Sequence, residues 1–77
     1  MADRDLLLRV QIEDVTVSTV YMSQLKAIAD MVPNYETAII NSEGRVEPVE
    51  NYPNRFRAVI GHAQWVKKVE DEYRVST

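Results

Sequence analysis

A small α+β domain is the fold class predicted for this chain, with elements in the order β-α-β-β-α and two helices packed on one face of a sheet that contains antiparallel strands. Three observations predict it. In residues 54–73 the apolar side chains Phe56, Val59, Ile60, Ala63, Val66, Val69 and Tyr73 recur every three or four positions, as on one stripe of a helix. Residues 6–12 alternate instead, with Leu6, Leu8, Val10 and Ile12 set against Leu7, Arg9 and Gln11, the period of a half-buried strand. Two further stretches, 35–41 and 45–49, are separated by Ser42-Glu43-Gly44, and Gly44 suits the left-handed position of a short hairpin loop. Placing both helices on one face of the sheet buries all the apolar stripes of a chain this short.

Taken in order, the first strand ends at Glu13-Asp14. Residues 15–20, VTVSTV, are rich in β-branched side chains that favour strands, while Tyr21, Leu25, Ile28, Ala29 and Val32 form a helical stripe closed by Pro33-Asn34. The first helix is therefore expected to end near residue 32 and to start at Ser18, or at Ser23 if residues 15–21 prolong the sheet. Pro48 cannot donate a ladder hydrogen bond, so the second hairpin arm is expected to be short and at an edge. Glu50 to Pro53 then lead into the second helix, where Pro53 and Asn54 suit its first turn. Gly61 opposes that helix by about 1 kcal/mol relative to Ala. The rival reading, a strand through Trp65, Val69, Tyr73 and Val75, would set Lys67 and Asp71 among apolar residues, so the helical count is cleaner.

Residues 1–77 make one domain, with 1–4 and 75–77 expected to fray. A core of this size supplies only about 3–5 kcal/mol, so tight packing or self-association must add to it. There is no Cys and a single His, which argues against disulfides and against a structural zinc site. Absence of Cys fits a reducing cytoplasm. The acidic start, MADRD, is unlike a secretory signal, and no apolar run approaches the ~20 residues of a membrane span.

Charge is uneven along the chain, although the net value is only −3. Residues 54–68 hold Arg55, Arg57, Lys67 and Lys68 and no acid, with acidic stretches on either side. No phosphate-cradling run surrounds Gly44 or Gly61, and no cofactor is expected. The carboxylates Glu13-Asp14 and Glu70-Asp71-Glu72 lack metal-loop spacing, and Lys67 and Lys68 precede Asp71 and Glu72 by four residues, as in surface ion pairs. His62 has no Cys to activate and no serine in a nucleophile motif, so the reading is not an enzyme.

The most suggestive constellation is basic and aromatic: Tyr52, Arg55, Arg57, His62, Trp65, Lys67 and Lys68. Arg and Trp dominate protein–protein hot spots, and cations with aromatic faces also hold single-stranded nucleic acid. An overall acidic chain opposes a polyanion. The expected function is therefore a small cytoplasmic, non-enzymatic protein-binding module, a regulator, inhibitor, adaptor or assembly subunit that self-associates and does not engage membranes. A nucleic-acid-binding accessory protein is the alternative.

Overall fold

In a computed structural model of the protein, residues 4–22 and 34–76 are described. Strands β1 (Arg4–Ile12), β2 (Val15–Met22), β3 (Asn34–Ile40) and β4 (Val46–Tyr52) are followed by helix α1 (Arg55–Ser76). The strands form one antiparallel sheet in the order β1-β2-β3-β4. The observed order β-β-β-β-α corrects the expected β-α-β-β-α, and one helix rather than two is present among the described residues. Ser18 to Met22, where the first helix was expected to begin, complete β2, and the rest of that expected helix falls in residues 23–33, outside the described residues.

The β-branched run explains the correction. Val15, Thr16, Val17, Thr19 and Val20 are stiff side chains that fit a pleated surface, and β2 pairs on both sides, so every one of them has cross-strand neighbours. Tyr21, assigned by periodicity to a helical stripe, lies opposite Tyr35 with ring centroids 5.1 Å apart. Between β1 and β2 the chain turns on Glu13 and Asp14 alone. Glu13 takes a φ of 57°, the positive value a two-residue hairpin turn requires at its first position. A register shift between Leu6 and Leu8 breaks the alternation read in β1 and leaves Leu6 exposed.

The β3–β4 hairpin forms around Asn41. Its Oδ1 accepts from the backbone N–H groups of Glu43 (3.0 Å) and Arg45 (2.9 Å), and Gly44 adopts a φ of 85°. Strand β4 is an edge strand, where Pro48 is tolerated, but it runs on to Tyr52 rather than stopping short. Thr37 pairs with Glu50 and Tyr35 with Tyr52. One sheet face therefore presents two cross-strand rows, Tyr21-Tyr35-Tyr52 and Thr19-Thr37-Glu50, followed by Val17 beside Ile39.

Helix α1 lies on that face. The Asn54 side chain accepts from the Arg57 N–H at 2.9 Å, capping its first turn. At the far end the Tyr73 hydroxyl donates to Asp14 in the β1–β2 turn. Between these two anchors the buried positions are Ala58, Gly61, His62 and Val69. Of these, Val69 alone belongs to the stripe predicted from periodicity. Phe56, Val59 and Ile60 are 72%, 43% and 42% exposed, so the helix is turned to set a small and polar strip against the sheet.

Candidate functional site

The inward side of α1 is held by a chain of polar contacts. His62 Nδ1 lies 2.7 Å from Thr19 Oγ1, and Thr19 and Thr37 share a hydroxyl–hydroxyl hydrogen bond. The Tyr52 hydroxyl donates to Thr37 Oγ1 at 3.0 Å, and Glu50 Oε1 lies 3.4 Å from that Tyr52 hydroxyl. Trp65 Nε1 donates to Glu50 Oε1 at 2.8 Å and closes the series back onto the helix. Thr19 and Thr37 are wholly buried, so their hydroxyls need such partners. Gly61 sits where a side chain cannot: a Cβ there would come within 2.2 Å of the Tyr52 ring.

This geometry settles how each aromatic or titratable member of the expected patch is used. His62 is only 5% exposed, and burial lowers its pKa from the usual 6.5, so the imidazole is neutral at physiological pH. Its Nε2 is buried and has no partner among the described residues. Tyr52 is buried, and burial raises its phenol above the ordinary value. Trp65 is half-buried, with its N–H committed to Glu50 and Lys68 Nζ over its ring at 4.7 Å from the centroid.

Arg55, Arg57, Lys67 and Lys68 are exposed, but the helix does not gather them into one cluster. At about 100° per residue Arg55 and Arg57 lie on opposite flanks, Lys67 lies between them two turns or more along, and Lys68 lies toward Trp65. What lies between the flanks is apolar. Phe56, Val59, Ile60 and Ala63 occupy one sector about 100° wide, pointing away from the sheet. Past Lys67 the same sector becomes charged, where Asp71 Oδ2 meets Lys67 Nζ at 3.8 Å and Asp71 Oδ1 meets Arg74 at 3.7 Å.

Phe56, Val59 and Ile60 are the residues that sequence reasoning assigned to the core instead of to a surface. Gly61 was the available signal, since a glycine inside a helical pattern marks a close approach by a neighbouring group. Elsewhere, Val15, Ile39, Val69, Glu72 and Tyr73 line an open groove of about 330 Å³ near the end of α1. Among the described residues no group of three or more His, Cys, Asp and Glu could hold a metal ion, and no helix is long and apolar enough to cross a membrane. No protein-family model, curated protein or solved structure matches the chain, so the reading of this face rests on its own geometry.

Proposed function

We propose that the chain is a non-enzymatic protein-binding module of the cytoplasm, acting as a regulator, inhibitor, adaptor or assembly subunit, and that its binding element is the outward sector of the first half of α1. The observation that carries this reading is the joint exposure of Phe56, Val59 and Ile60. Single apolar residues at a surface are ordinary, whereas a contiguous set with a polar surround marks a site of interaction. Positions 56, 59, 60 and 63 are also the i, i+3, i+4, i+7 anchors by which a helix enters a partner's groove. The sheet would hold this helix rigid before binding, which lowers the ordering cost of association.

Nucleic acid is less well supported. Tyr52 and His62 are buried, and the Trp65 ring carries Lys68, so the aromatic faces of the expected patch are already in use, and the exposed Phe56 ring stands alone among aliphatic neighbours and offers no series of faces for successive bases. A second copy is one protein this face could take, and sedimentation at high micromolar concentration reads self-association directly. The decisive test is the double variant Phe56→Ser/Ile60→Ser. It should keep its helical circular dichroism and a cooperative thermal transition only a few degrees lower, because neither side chain is in the core, and should lose the partner that the parent chain retains. Retention of the partner by a folded double variant would overturn the proposal.

A further inference from the structure

The shape and the charge of the outward sector together narrow what can cover it. Resting on the docking reading above, we infer that the first half of α1 seats in an apolar groove on a different protein, and that the rim of this groove carries carboxylates near Arg55, Arg57 and Lys67. A helix lying on a sheet is convex on its outward side, so close contact along 56–63 requires a concave or two-sided partner surface. The anchored stretch is about 12 Å long at 1.5 Å per residue, and Arg55 and Lys67 bracket it about 18 Å apart.

Charge then selects among the possible occupants. Residues 54–68 contain four cations and no acid, and the first acid beyond them on the helix is Glu70. In a two-fold pairing of copies the same patch stands on both sides of the interface. The cations Arg55, Arg57 and Lys67 of one copy would then share the interface with those of the other, a like-charge repulsion that no acid within 54–68 offsets. An extended anionic surface, such as a lipid headgroup layer or a nucleic-acid backbone, fits less well for another reason. Glu70, Asp71 and Glu72 follow on the same helix, and the chain carries 12 acidic against 9 basic residues, so a continuous array of negative charge would be opposed along most of its extent. Carboxylates confined to a groove rim meet the cations and avoid the acids.

A photoreactive benzophenone amino acid placed at Ala63 tests this in the full-length chain. Ala63 is exposed and lies within the sector, so the probe removes none of the three large apolar side chains. After irradiation in an extract of the native host, mass spectrometry should find an adduct with another protein, linked inside an apolar groove whose flanking residues include Asp or Glu. Adding Arg55→Glu, Arg57→Glu and Lys67→Glu should reduce that adduct at least tenfold at 150 mM salt, while Arg55→Lys, Arg57→Lys and Lys67→Arg should preserve it. An adduct with a second copy of this chain, with lipid or with nucleic acid would overturn the inference. So would a heterologous protein adduct that survives charge reversal, although that result and a self-adduct would leave the docking reading intact. No adduct at all, with the probe-bearing chain folded, would defeat the docking reading itself.

Discussion

Two sides of one helix can be compared directly in α1. Toward the sheet it places Ala58, Gly61, His62 and Val69; away from it, Phe56, Val59, Ile60 and Ala63. Full burial of a large apolar side chain brings about 1.5–3 kcal/mol, and Phe56, Val59 and Ile60 each still have a large part of that to gain, so the area term alone favours the opposite rotation. Two things oppose it. The Tyr52 ring fills the volume against position 61, and any side chain there would overlap it. Beneath the helix the buried hydroxyls of Thr19 and Thr37 bond to each other and Thr37 to Tyr52, so rotation would break the one bond that reaches the helix, Thr19 to His62, and an unmatched buried polar group costs about 1–3 kcal/mol. The orientation of a helix on a sheet is thus decided by the fit and hydrogen bonding of what lies underneath, not by the helix's own apolar stripe.

The largest expected effect comes from removing the fit. Gly61→Ala gains roughly 1 kcal/mol of helix propensity, yet it forces a methyl group into the Tyr52 ring, and overlap this severe costs about 3 kcal/mol, the top of the usual overpacking range. Chemical denaturation should show a net loss of about 2 kcal/mol, largely recovered by pairing the change with Tyr52→Leu. A Gly61→Ala variant as stable as the parent would mean that α1 is rotated differently.

Next in size is the inward imidazole. His62→Leu keeps the volume but takes a partner from Thr19, at a cost of about 1–3 kcal/mol. The same residue gives a pH dependence. Because the folded pKa lies below the unfolded value of 6.5, the unfolded chain binds more protons between the two. The contribution of His62 is complete above about pH 6.5 and is lost as pH falls through the folded pKa. Urea midpoints measured from pH 8 down to pH 5 should decline for the parent, and this His-linked slope should be absent from His62→Leu.

On the outward side the numbers should be small. Ile60→Ala would cost about 2–5 kcal/mol if Ile60 faced the core as its periodicity suggests. With Ile60 42% exposed, about 1 kcal/mol or less is expected, and the thermal midpoint of this single variant distinguishes the two rotations. Smallest of all is Lys67→Ala, which removes a contact between exposed groups with Asp71 and should shift stability by no more than about 0.5 kcal/mol.

Much of the local structure was legible because its causes are local. The strand over residues 6–12, the Gly44 loop and the Asn54 cap each depend on neighbours a few positions away, and each stands in the fold, although the register shift in β1 interrupts the alternation that announced the strand. The extent of β2 was harder, since VTVSTV and the stripe from Tyr21 onward pull in opposite directions, and pairing with both β1 and β3 decides for the strand. The rotation of α1 could not be read from the helix at all. It depends on Thr19 meeting a residue 43 positions later and on Tyr52 lying against Gly61. For the candidate site, the four cations were found where they are exposed, but Tyr52, His62 and Trp65 looked like surface chemistry because nothing in their own segments records the hydroxyls and carboxylate that bind them.

The simple sheet order bears on how the chain assembles in time. Each strand pairs only with its neighbours in sequence, so the sheet can build strand upon strand as a growing chain emerges, whereas α1 comes last and must dock on strands made long before it. Until then the face awaiting the helix is open to water, and its central rows carry the hydroxyls of Tyr21, Thr19, Thr37, Tyr35 and Tyr52 together with the Glu50 carboxylate. Water can satisfy all of these groups, so the waiting face is far less adhesive than a row of leucines would be. Pulse-labelled hydrogen exchange during refolding should therefore protect the strand amides first, with a persistent helix-free sheet that stays in solution instead of aggregating; early protection of α1 ahead of the strands would contradict that order.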